Sequence, residues 1–136
     1  MTTTTLDAKK KMYITTPVSM FGLLLYKKLR VLVQERYPDY DHSFTADLYT
    51  SASHWLATYQ TIMSRHDAMV FFADNYSIGK GVYNEIEYML AHHKPVVFFD
   101  HVTGLTHEGI TLNATGPVQF YVDEDNWTFY AAIIVQ

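Results

Sequence analysis

Residues 67–100, DAMVFFADNYSIGKGVYNEIEYMLAHHKPVVFFD, form the stretch that decides the fold. Residues 67–72 are almost continuously apolar, which predicts a short strand buried on both faces. An amphipathic helix follows, and its apolar residues recur at helical spacing at Val82, Ile86, Met89 and Leu90. Lys94 ends that helix because the proline after it disfavours helical geometry. Residues 96–99 predict a second buried strand, so the whole stretch is a strand–helix–strand unit.

The predicted unit determines the direction of its two strands and the hand of their connection. A crossover of this kind is right-handed, and its strands run parallel. The connector at residues 73–81 is rich in turn-forming residues, among them Asn75, Ser77, Gly79 and Gly81. We expect the two glycines to permit tight or positive-φ backbone there.

Glu85 is the residue of this unit with the clearest chemical interest. It follows the glycine-containing connector and is predicted to lie in about the first turn of the helix. That is the carboxyl end of a parallel strand, where open α/β sheets bind their ligands. The partial positive charge of a helix N-terminus also favours an ionised carboxylate. Glu85 is therefore either a site residue or a glutamate that only complements the helix dipole.

The composition predicts a single globular domain spanning residues 1–136. Of the 136 residues, 49% are hydrophobic and 18% are charged, which is enough for one substantial core. A net charge of -4 argues against a nucleic-acid partner bound through a broad basic surface. The absence of cysteine excludes disulfides and thiolate chemistry and fits a reducing, cytoplasmic location. With no apolar run of membrane-spanning length and no apolar signal region at the start, we expect no membrane partner.

The first third of the chain predicts a tail, two strands and a helix. Residues 1–10 are expected to be a flexible tail, and residues 11–15 a first strand. Ser19 is the predicted N-cap of a helix that runs to about Arg36. The apolar positions of that helix are Leu24, Leu25, Leu29 and Leu32. Residues 40–50 are expected to hold a second strand and a loop.

The remaining segments complete an alternating pattern. Ser51 or Ser53 caps a helix to about Arg65, whose pattern runs through His54, Leu56, Tyr59 and Ile62. Residues 101–116 are predicted to be a loop and residues 117–122 a last strand. Asp123 or Asp125 starts a final turn or helix through Trp127 to Ile134. Alternating strands and helices predict a three-layer α/β fold, flavodoxin- or Rossmann-like, with about five mostly parallel strands and helices on both faces.

Two patterns that resemble known binding motifs are weak. His92, His93, His101 and His107 suggest a metal site, but adjacent histidines point to different faces of a helix and HExxH spacing is absent. Ordinary surface histidines are favoured, so we expect no metal and no cofactor. The SIGKG sequence at residues 77–81 lacks the GxxxxGK[ST] pattern of a nucleotide-binding phosphate loop. Its backbone N–H groups either bind a single phosphate or form a purely structural turn.

Three further polar residues lie near predicted strand ends. Tyr13 precedes the end of the first strand, and its phenol either hydrogen-bonds a neighbouring carboxylate or is a core tyrosine with a solvated hydroxyl. Asp74 follows the strand at residues 67–72, at the end where ligands bind. Asp67 opens that strand, at the opposite end, so a structural role is favoured for it.

Three segments of the chain resemble the nucleoside 2-deoxyribosyltransferase family, which includes the nucleoside 5′-monophosphate N-glycosidases. They are YITTP at residues 13–17, HDAMVFFAD at residues 66–74 and GVYNEIEYMLAHHKPVVFF at residues 81–99. The resemblance extends over most of the chain, but only the block at residues 67–99 is specific. It implies cleavage or transfer at the N-glycosidic bond of a nucleoside or nucleotide, a small-molecule substrate, and a homo-oligomer.

The resemblance also implies roles for particular residues. Glu85 falls on the nucleophile of the family and Tyr13 on the tyrosine that orients it. The resemblance further places substrate-binding residues at Thr15, Pro17, Tyr59, Ser77, Gly79 and Gly81. The family commonly has an aspartate that protonates the leaving base, but residues 58–60 are Thr-Tyr-Gln here, so Asp74, Tyr59 or a water takes that part. Glu87 stands where the family usually has a glycine.

Two other functions remain open at this point. The missing aspartate is consistent with a nucleotide-binding module that has the same fold and no turnover. NAD cleavage of the kind catalysed by TIR domains also uses a glutamate in an α/β fold. An abundance of aromatic residues late in the chain, more than one small core needs, favours a homo-oligomer; these are Phe120, Tyr121, Trp127, Phe129 and Tyr130.

Overall fold

The computed structural model describes residues 9–119 and 128–135. A short 3-10 helix at Val18–Met20 follows the first strand. In chain order the other elements are β1 (Lys10–Thr15), α1 (Leu24–Arg36), β2 (Tyr40–Phe44), α2 (Thr45–Leu48), α3 (Ala52–Met63), β3 (Ala68–Phe71), β4 (Ser77–Ile78), α4 (Lys80–Ala91), β5 (Val96–Asp100), β6 (Leu105–His107), β7 (Ile110–Gln119) and β8 (Thr128–Val135). Lys10, which was expected in the tail, is the first residue of β1, and residues 1–8 of the predicted tail lie outside the described part.

The main sheet has five strands in the order β2-β1-β3-β5-β6. Strands β2, β1, β3 and β5 run parallel to one another, and the edge strand β6 runs antiparallel to β5. The predicted mixed α/β fold with a mostly parallel sheet of about five strands is therefore confirmed. Strands β3 and β5 are neighbours joined through α4, as the unit at residues 67–100 predicts.

The strand residues alternate between two separate cores because successive side chains point to opposite faces of a sheet. Tyr13, Met69 and Phe71 face a core that Met63 of α3 and Ile86 of α4 complete. The opposite face forms a second core, which contains Met12, Ile14, Leu29, Val33, Val70, Phe72 and Phe99. Because both faces are covered, the central strands are apolar without interruption, which explains their sequence.

The start of α1 differs from the prediction. The helix begins at Leu24 after Leu23, with no side-chain cap, so Ser19 is not its N-cap. Of the apolar residues expected to face the core, Leu24 is 71% exposed and Leu32 is also exposed. The buried face is instead formed by Tyr26, Leu29 and Val33. The predicted end at Arg36 agrees with the structure.

The other two long helices follow the predictions with one exception each. Ser51 is the N-cap of α3, and its hydroxyl accepts a hydrogen bond from the backbone N–H of His54. Leu56 of that helix is exposed, although the spacing placed it inside. In α4, Val82, Ile86 and Met89 are buried while Leu90 is exposed. Leu56 and Leu90 both lie at the edge of the apolar face of their helix, where a small rotation of the helix decides whether a side chain is buried.

The C-terminal part contains strands where a loop and a helix were predicted. Residues 105–107 form β6 and β7 begins at Ile110, so the predicted loop at 101–116 is confirmed only for residues 101–104 and 108–109 and is wrong for the rest. The strand predicted at 117–122 corresponds to the end of β7, and residues 120–127 lie outside the described part. The final helix is wrong from residue 128 onward, because Thr128–Val135 is a strand.

Strands β7 and β8, together with β4, form a second sheet that the sequence patterns did not predict. It has three antiparallel strands in the order β4-β8-β7. Ser77 and Ile78 of β4 pair with Ala132 and Ala131 of β8. Ile78 and Ala131 are buried in the same core as α3 and α4. The second sheet therefore closes the side of the molecule on which Glu85 lies.

Candidate active site

Glu85 lies deeper in its helix than predicted. Gly79 is the N-cap of α4 and Lys80 its first residue, so Glu85 is in the second turn, and no acidic residue lies in the first. The side chain points inward and is 2% exposed. A glutamate that only complements the helix dipole has no need of burial, because the dipole interaction acts at the exposed end of the helix.

Three side chains from two other elements donate hydrogen bonds to the Glu85 carboxylate. The Tyr13 hydroxyl donates to Oε2. The indole Nε1–H of Trp55 donates to the same oxygen at 3.0 Å. The Thr15 hydroxyl donates to Oε1 at 2.7 Å. Bonds of this kind favour the ionised form, and they compensate in part for the loss of water.

The Tyr13 hydroxyl also joins Glu85 to a second tyrosine. The hydroxyl oxygens of Tyr13 and Tyr49 are 2.8 Å apart. Since Tyr13 has one O–H proton and uses it for Glu85, the Tyr49 hydroxyl is the donor in this pair. The result is a chain of hydrogen bonds from the half-buried Tyr49 through Tyr13 to the carboxylate.

Burial dominates the ionisation of this cluster. It raises the pKa of Glu85 to about 7, although the bonds from Tyr13, Thr15 and Trp55 act in the opposite direction. Burial and the adjacent Glu85 charge also raise the pKa of Tyr13 far above its ordinary value. Burial raises the pKa of Tyr49 in the same way. Near neutral pH, Glu85 is therefore partly protonated and partly ionised, while both tyrosines remain protonated. A carboxyl group with a pKa shifted towards neutrality is typical of catalytic sites.

The carboxylate lies where the order of the main sheet reverses. The chain passes from β1 to β2 on one side and then returns to place β3 on the other side of β1. Thr15, the last residue of β1, reaches Glu85 from the carboxyl end of that strand. Ligands of open α/β sheets bind at such a reversal, outside the carboxyl ends of the strands.

Trp55 and Tyr49 were not identified as site residues from the sequence. Trp55 stacks on Tyr59 with ring centroids 4.3 Å apart and an interplanar angle of 11°. The two residues are four apart on α3, a spacing that places side chains on one face of a helix. A tryptophan within such a pair has an N–H that requires a partner, which was the available signal for Trp55. Nothing comparable distinguishes Tyr49 among 11 tyrosines.

Asp74 is not part of the Glu85 cluster. It is exposed, and its Oδ2 accepts a hydrogen bond from the Ser19 hydroxyl at 3.1 Å. It forms a tight turn with Ser77, in which Asn75 and Tyr76 have φ values of 51° and 61°. Two positive φ angles at the centre characterise a type I′ turn. Asp67 has the expected structural role, because its Oδ2 accepts the backbone N–H of Lys11 at 2.8 Å.

The predicted glycine loop has a different structure. Ser77 is in β4, Gly79 is the N-cap of α4 with a φ of -85°, and Gly81 is inside the helix. Of the expected tight or positive-φ backbone at the two glycines, the positive φ is not found, and Asn75 and Tyr76 make the turn instead. A Cβ at Gly81 would lie 3.8 Å from Cζ2 of Trp55, which is an ordinary van der Waals contact, so packing does not require a glycine there.

Two remaining predicted residues lie on either side of the cluster. Pro17 is buried just beyond β1, and its carbonyl accepts the backbone N–H of Met20. Tyr59 does not hydrogen-bond Glu85; it lines a groove of about 650 Å³ between α3 and α4. Glu85 is not among the residues of that groove, whereas Glu87 is. Tyr59 stacks on Trp55, whose N–H bonds Glu85, but neither Trp55 nor Glu85 lines the groove.

The described residues contain neither a cluster suited to a metal ion nor a helix suited to a membrane span. Across 9–119 and 128–135, no three side chains of the His, Cys, Asp or Glu type are grouped so that they could hold a metal ion. Within the same ranges, every helix is too short or too polar to cross a membrane.

No protein-family model, curated protein or solved structure matches this chain.

Proposed function

We propose that the protein cleaves the N-glycosidic bond of a nucleoside or nucleoside 5′-monophosphate, with Glu85 as the nucleophile. The observation that carries the proposal is the buried Glu85 carboxylate, held by Tyr13 and Thr15 at the reversal point of the sheet. Its pKa of about 7 allows it to be ionised under physiological conditions. An ionised carboxylate in a site of low polarity stabilises a developing oxocarbenium ion and can then trap it.

The proposed reaction proceeds in two steps through a covalent glycosyl-enzyme. In the first, an oxygen of Glu85 forms a bond to C1′ of the sugar while the C1′–N bond breaks, and its electron pair goes to the base nitrogen. The base leaves after it takes up one proton. In the second, water attacks C1′ and releases Glu85, and one proton of the water returns to solvent. Attack on C1′ by a second nucleobase instead of water would transfer the sugar to that nucleobase rather than hydrolyse the bond.

We assign the proton of the leaving base to a water molecule. Asp74 is bonded to Ser19 on an exposed turn, and Tyr59 lines a groove that Glu85 does not. Tyr13 and Tyr49 hold their protons tightly because burial raises the pKa of both. A water that enters with the substrate is therefore the most suitable donor, and general acid–base transfer through one water is geometrically ordinary.

The arrangement of the main sheet supports the resemblance to the nucleoside 2-deoxyribosyltransferase family. Counted only within that sheet, its strands run in the order 2-1-3-4-5, which is the flavodoxin-like order. The two cores on opposite faces fit the three-layer arrangement of such folds. We accordingly propose a flavodoxin- or Rossmann-like domain that acts on a small-molecule nucleoside or nucleotide in the cytoplasm.

A second candidate function is nucleotide binding without turnover. It is favoured by one observation: Glu85 is 2% exposed, so a sugar can reach it only after a covering side chain moves. If that movement does not occur, the fold binds a nucleotide at the carboxyl ends of the strands and leaves the bond intact.

The test is incubation of the protein with a panel of nucleosides, nucleoside 5′-monophosphates and NAD, followed by chromatography for free base. We expect release of base from at least one nucleoside or monophosphate and no release by the Glu85→Gln variant. Release of nicotinamide alone would assign the reaction to NAD cleavage. If no base is released but a nucleotide raises the melting temperature, binding without turnover is the function, because ligand that binds only the native state stabilises it.

A further inference from the structure

The two oxygens of the Glu85 carboxylate are not equivalent. Among the described residues, Oε2 accepts two hydrogen bonds, from Tyr13 and Trp55, and Oε1 accepts one, from Thr15. A carboxylate oxygen has two lone-pair positions, so Oε2 is fully used and Oε1 has one position left. The oxygen with the free position is the one that is able to bond another atom.

The packing around Trp55 fixes the direction of its N–H and so maintains the difference between the two Glu85 oxygens. One face of its indole stacks on Tyr59, with ring centroids 4.3 Å apart. Its benzo edge lies against Gly81 at the start of α4, with Cζ2 at 3.8 Å from the position that a Cβ of residue 81 would occupy. A ring packed in this way keeps its N–H direction, because an aromatic side chain has only two rotatable bonds.

We propose that Trp55 is a positioning residue whose indole N–H holds Oε2 of Glu85, favours the ionised form of the carboxyl group and leaves Oε1 free to attack the sugar. The last part rests on the proposed function; the hydrogen bond and its effect on ionisation do not. Trp55 is not a catalytic residue, since it acts through Glu85.

The surroundings of Glu85 make its ionisation a usable readout. The titratable groups that face it are Tyr13 from β1 and, behind it, Tyr49 from the segment between α2 and α3. The His66 ring packs edge-on against Tyr13 at 5.3 Å. Apart from burial, the influences on the pKa of Glu85 are the three hydrogen bonds from Tyr13, Thr15 and Trp55. Removal of one donor therefore changes the titration of Glu85 directly.

The experiment is an NMR titration from pH 5 to pH 9 that follows the side-chain carboxyl ¹³C signal of Glu85. This signal is identified by its absence from Glu85→Gln. Trp55→Phe retains one aromatic ring beside Tyr59 and removes the N–H together with the second ring of the indole. Since a hydrogen bond to a charged group is worth about one pKa unit or more, we expect the midpoint to rise by about one pH unit. Tyr59→Phe, the matched control, retains the stack and the N–H and should leave the midpoint where it is.

A second measurement needs no change at Trp55. The chain has two tryptophans, and Trp127→Phe identifies the indole N–H signal of Trp55. That signal should move with the Glu85 midpoint and become independent of pH in Glu85→Gln. An indole signal that does not titrate in the native protein would overturn the proposal, as would an unchanged midpoint in Trp55→Phe or an equal shift in Tyr59→Phe. These outcomes do not depend on turnover, so they stand apart from the nucleoside assay.

Discussion

At the scale of single residues, Glu85 is subject to two opposing influences. Its burial beneath α3 and the second sheet favours the neutral acid, and its three donors favour the anion. Burial is the larger influence, so the carboxyl group titrates close to neutral pH instead of near its ordinary value. Both the reaction and the stability of the protein should therefore respond to pH through this one group.

The first prediction concerns turnover. Glu85→Gln retains the size of the side chain and removes the charge and the nucleophilic oxygen. We expect base release to fall by a factor of about 10³ or more, because both the stabilisation of positive charge and the covalent step require the carboxylate. Initial rates with saturating substrate measure this.

Glu87→Gln is the control built into the same helix. Glu87 is exposed and two residues further on, about 200° around the helix, so its replacement should leave the rate within a few fold. Tyr13→Phe removes one of two donors to Oε2 and should have an intermediate effect. Loss of activity in Glu87→Gln with full activity in Glu85→Gln would show that the wrong carboxylate has been assigned.

The second prediction concerns stability and pH. The folded pKa of Glu85 is about 7, above the ordinary value of 4.5, so the folded state binds more protons than the unfolded state between these values. This contribution to stability is therefore complete below about pH 4.5 and is lost as the pH rises through about 7. The loss amounts to about 3 kcal/mol, at 1.36 kcal/mol per pKa unit.

The measurement is the free energy of unfolding in urea at pH 5 and at pH 8. His66 opposes the trend, because burial lowers its pKa and its contribution is lost as the pH falls. The change from pH 5 to pH 8 should therefore be compared between wild type and Glu85→Gln, in which His66 is common to both. Wild type should lose about 2.5 kcal/mol more than the variant, because the unfolded carboxyl group is already mostly ionised at pH 5, and equal changes would contradict the raised pKa.

At the scale of elements, one side chain ties the end of α3 to the start of β5. The Lys94 ammonium group donates to the carbonyl oxygens of Ser64 and His66 at 3.2 and 2.8 Å. A cation there satisfies carbonyls at a helix C-terminus and complements the helix dipole. The Lys-Pro pair that ends α4 in the sequence thus has a second role at the end of the neighbouring helix.

The third prediction follows from that contact. Lys94→Met retains most of the aliphatic chain and removes the charge and its donors. We expect the protein to lose about 1 to 2 kcal/mol of stability, measured by urea unfolding at pH 7. Lys28→Met, on the exposed side of α1, is the control and should be nearly neutral. A Lys94→Met loss no larger than that of Lys28→Met would show that the bonds have no net effect.

At the scale of the whole molecule, we propose a homo-oligomer. Of the aromatic residues on which this prediction was based, Phe120, Tyr121 and Trp127 lie outside the described part, and Phe129 and Tyr130 belong to β8. The described surface also exposes large apolar side chains on α1, with Leu24 at 71% and Val31 at 51%. Apolar surface of this kind is more stable when another chain covers it.

The fourth prediction is that the mass measured by light scattering at micromolar concentration is a multiple of the mass of one chain. Leu24→Glu tests whether α1 takes part, because a charge at an interface core is unfavourable. We expect the measured mass to decrease in this variant. A wild-type mass of one chain would contradict the proposed assembly, and an unchanged oligomer in Leu24→Glu would place the interface elsewhere.

The sequence alone determined the elements whose signal is local. Residues 67–100 predicted β3, α4 and β5 because an uninterrupted apolar strand, a period of 3.6 and a Lys-Pro stop are each visible within a few residues. The same stretch singled out Glu85, and the N-cap of α3 was predicted as Ser51 or Ser53 for the same reason, of which the structure shows Ser51. The order of elements then predicted a mostly parallel sheet.

Only the tertiary structure decided what surrounds Glu85 and how the chain ends. Trp55 and Tyr49 lie 30 and 36 residues from the side chains they bond, and no local pattern encodes contacts over such separations. Strands β7 and β8 pair with each other, and β8 also pairs with β4. The sequence of β7 contains Asn113, Gly116 and Pro117, which are unfavourable in strands, so pairing with β8 outweighed a local pattern typical of a loop. The β-branched and aromatic residues of β8 favour a strand, but only the partners β4 and β7 distinguish so short an apolar segment from a helix.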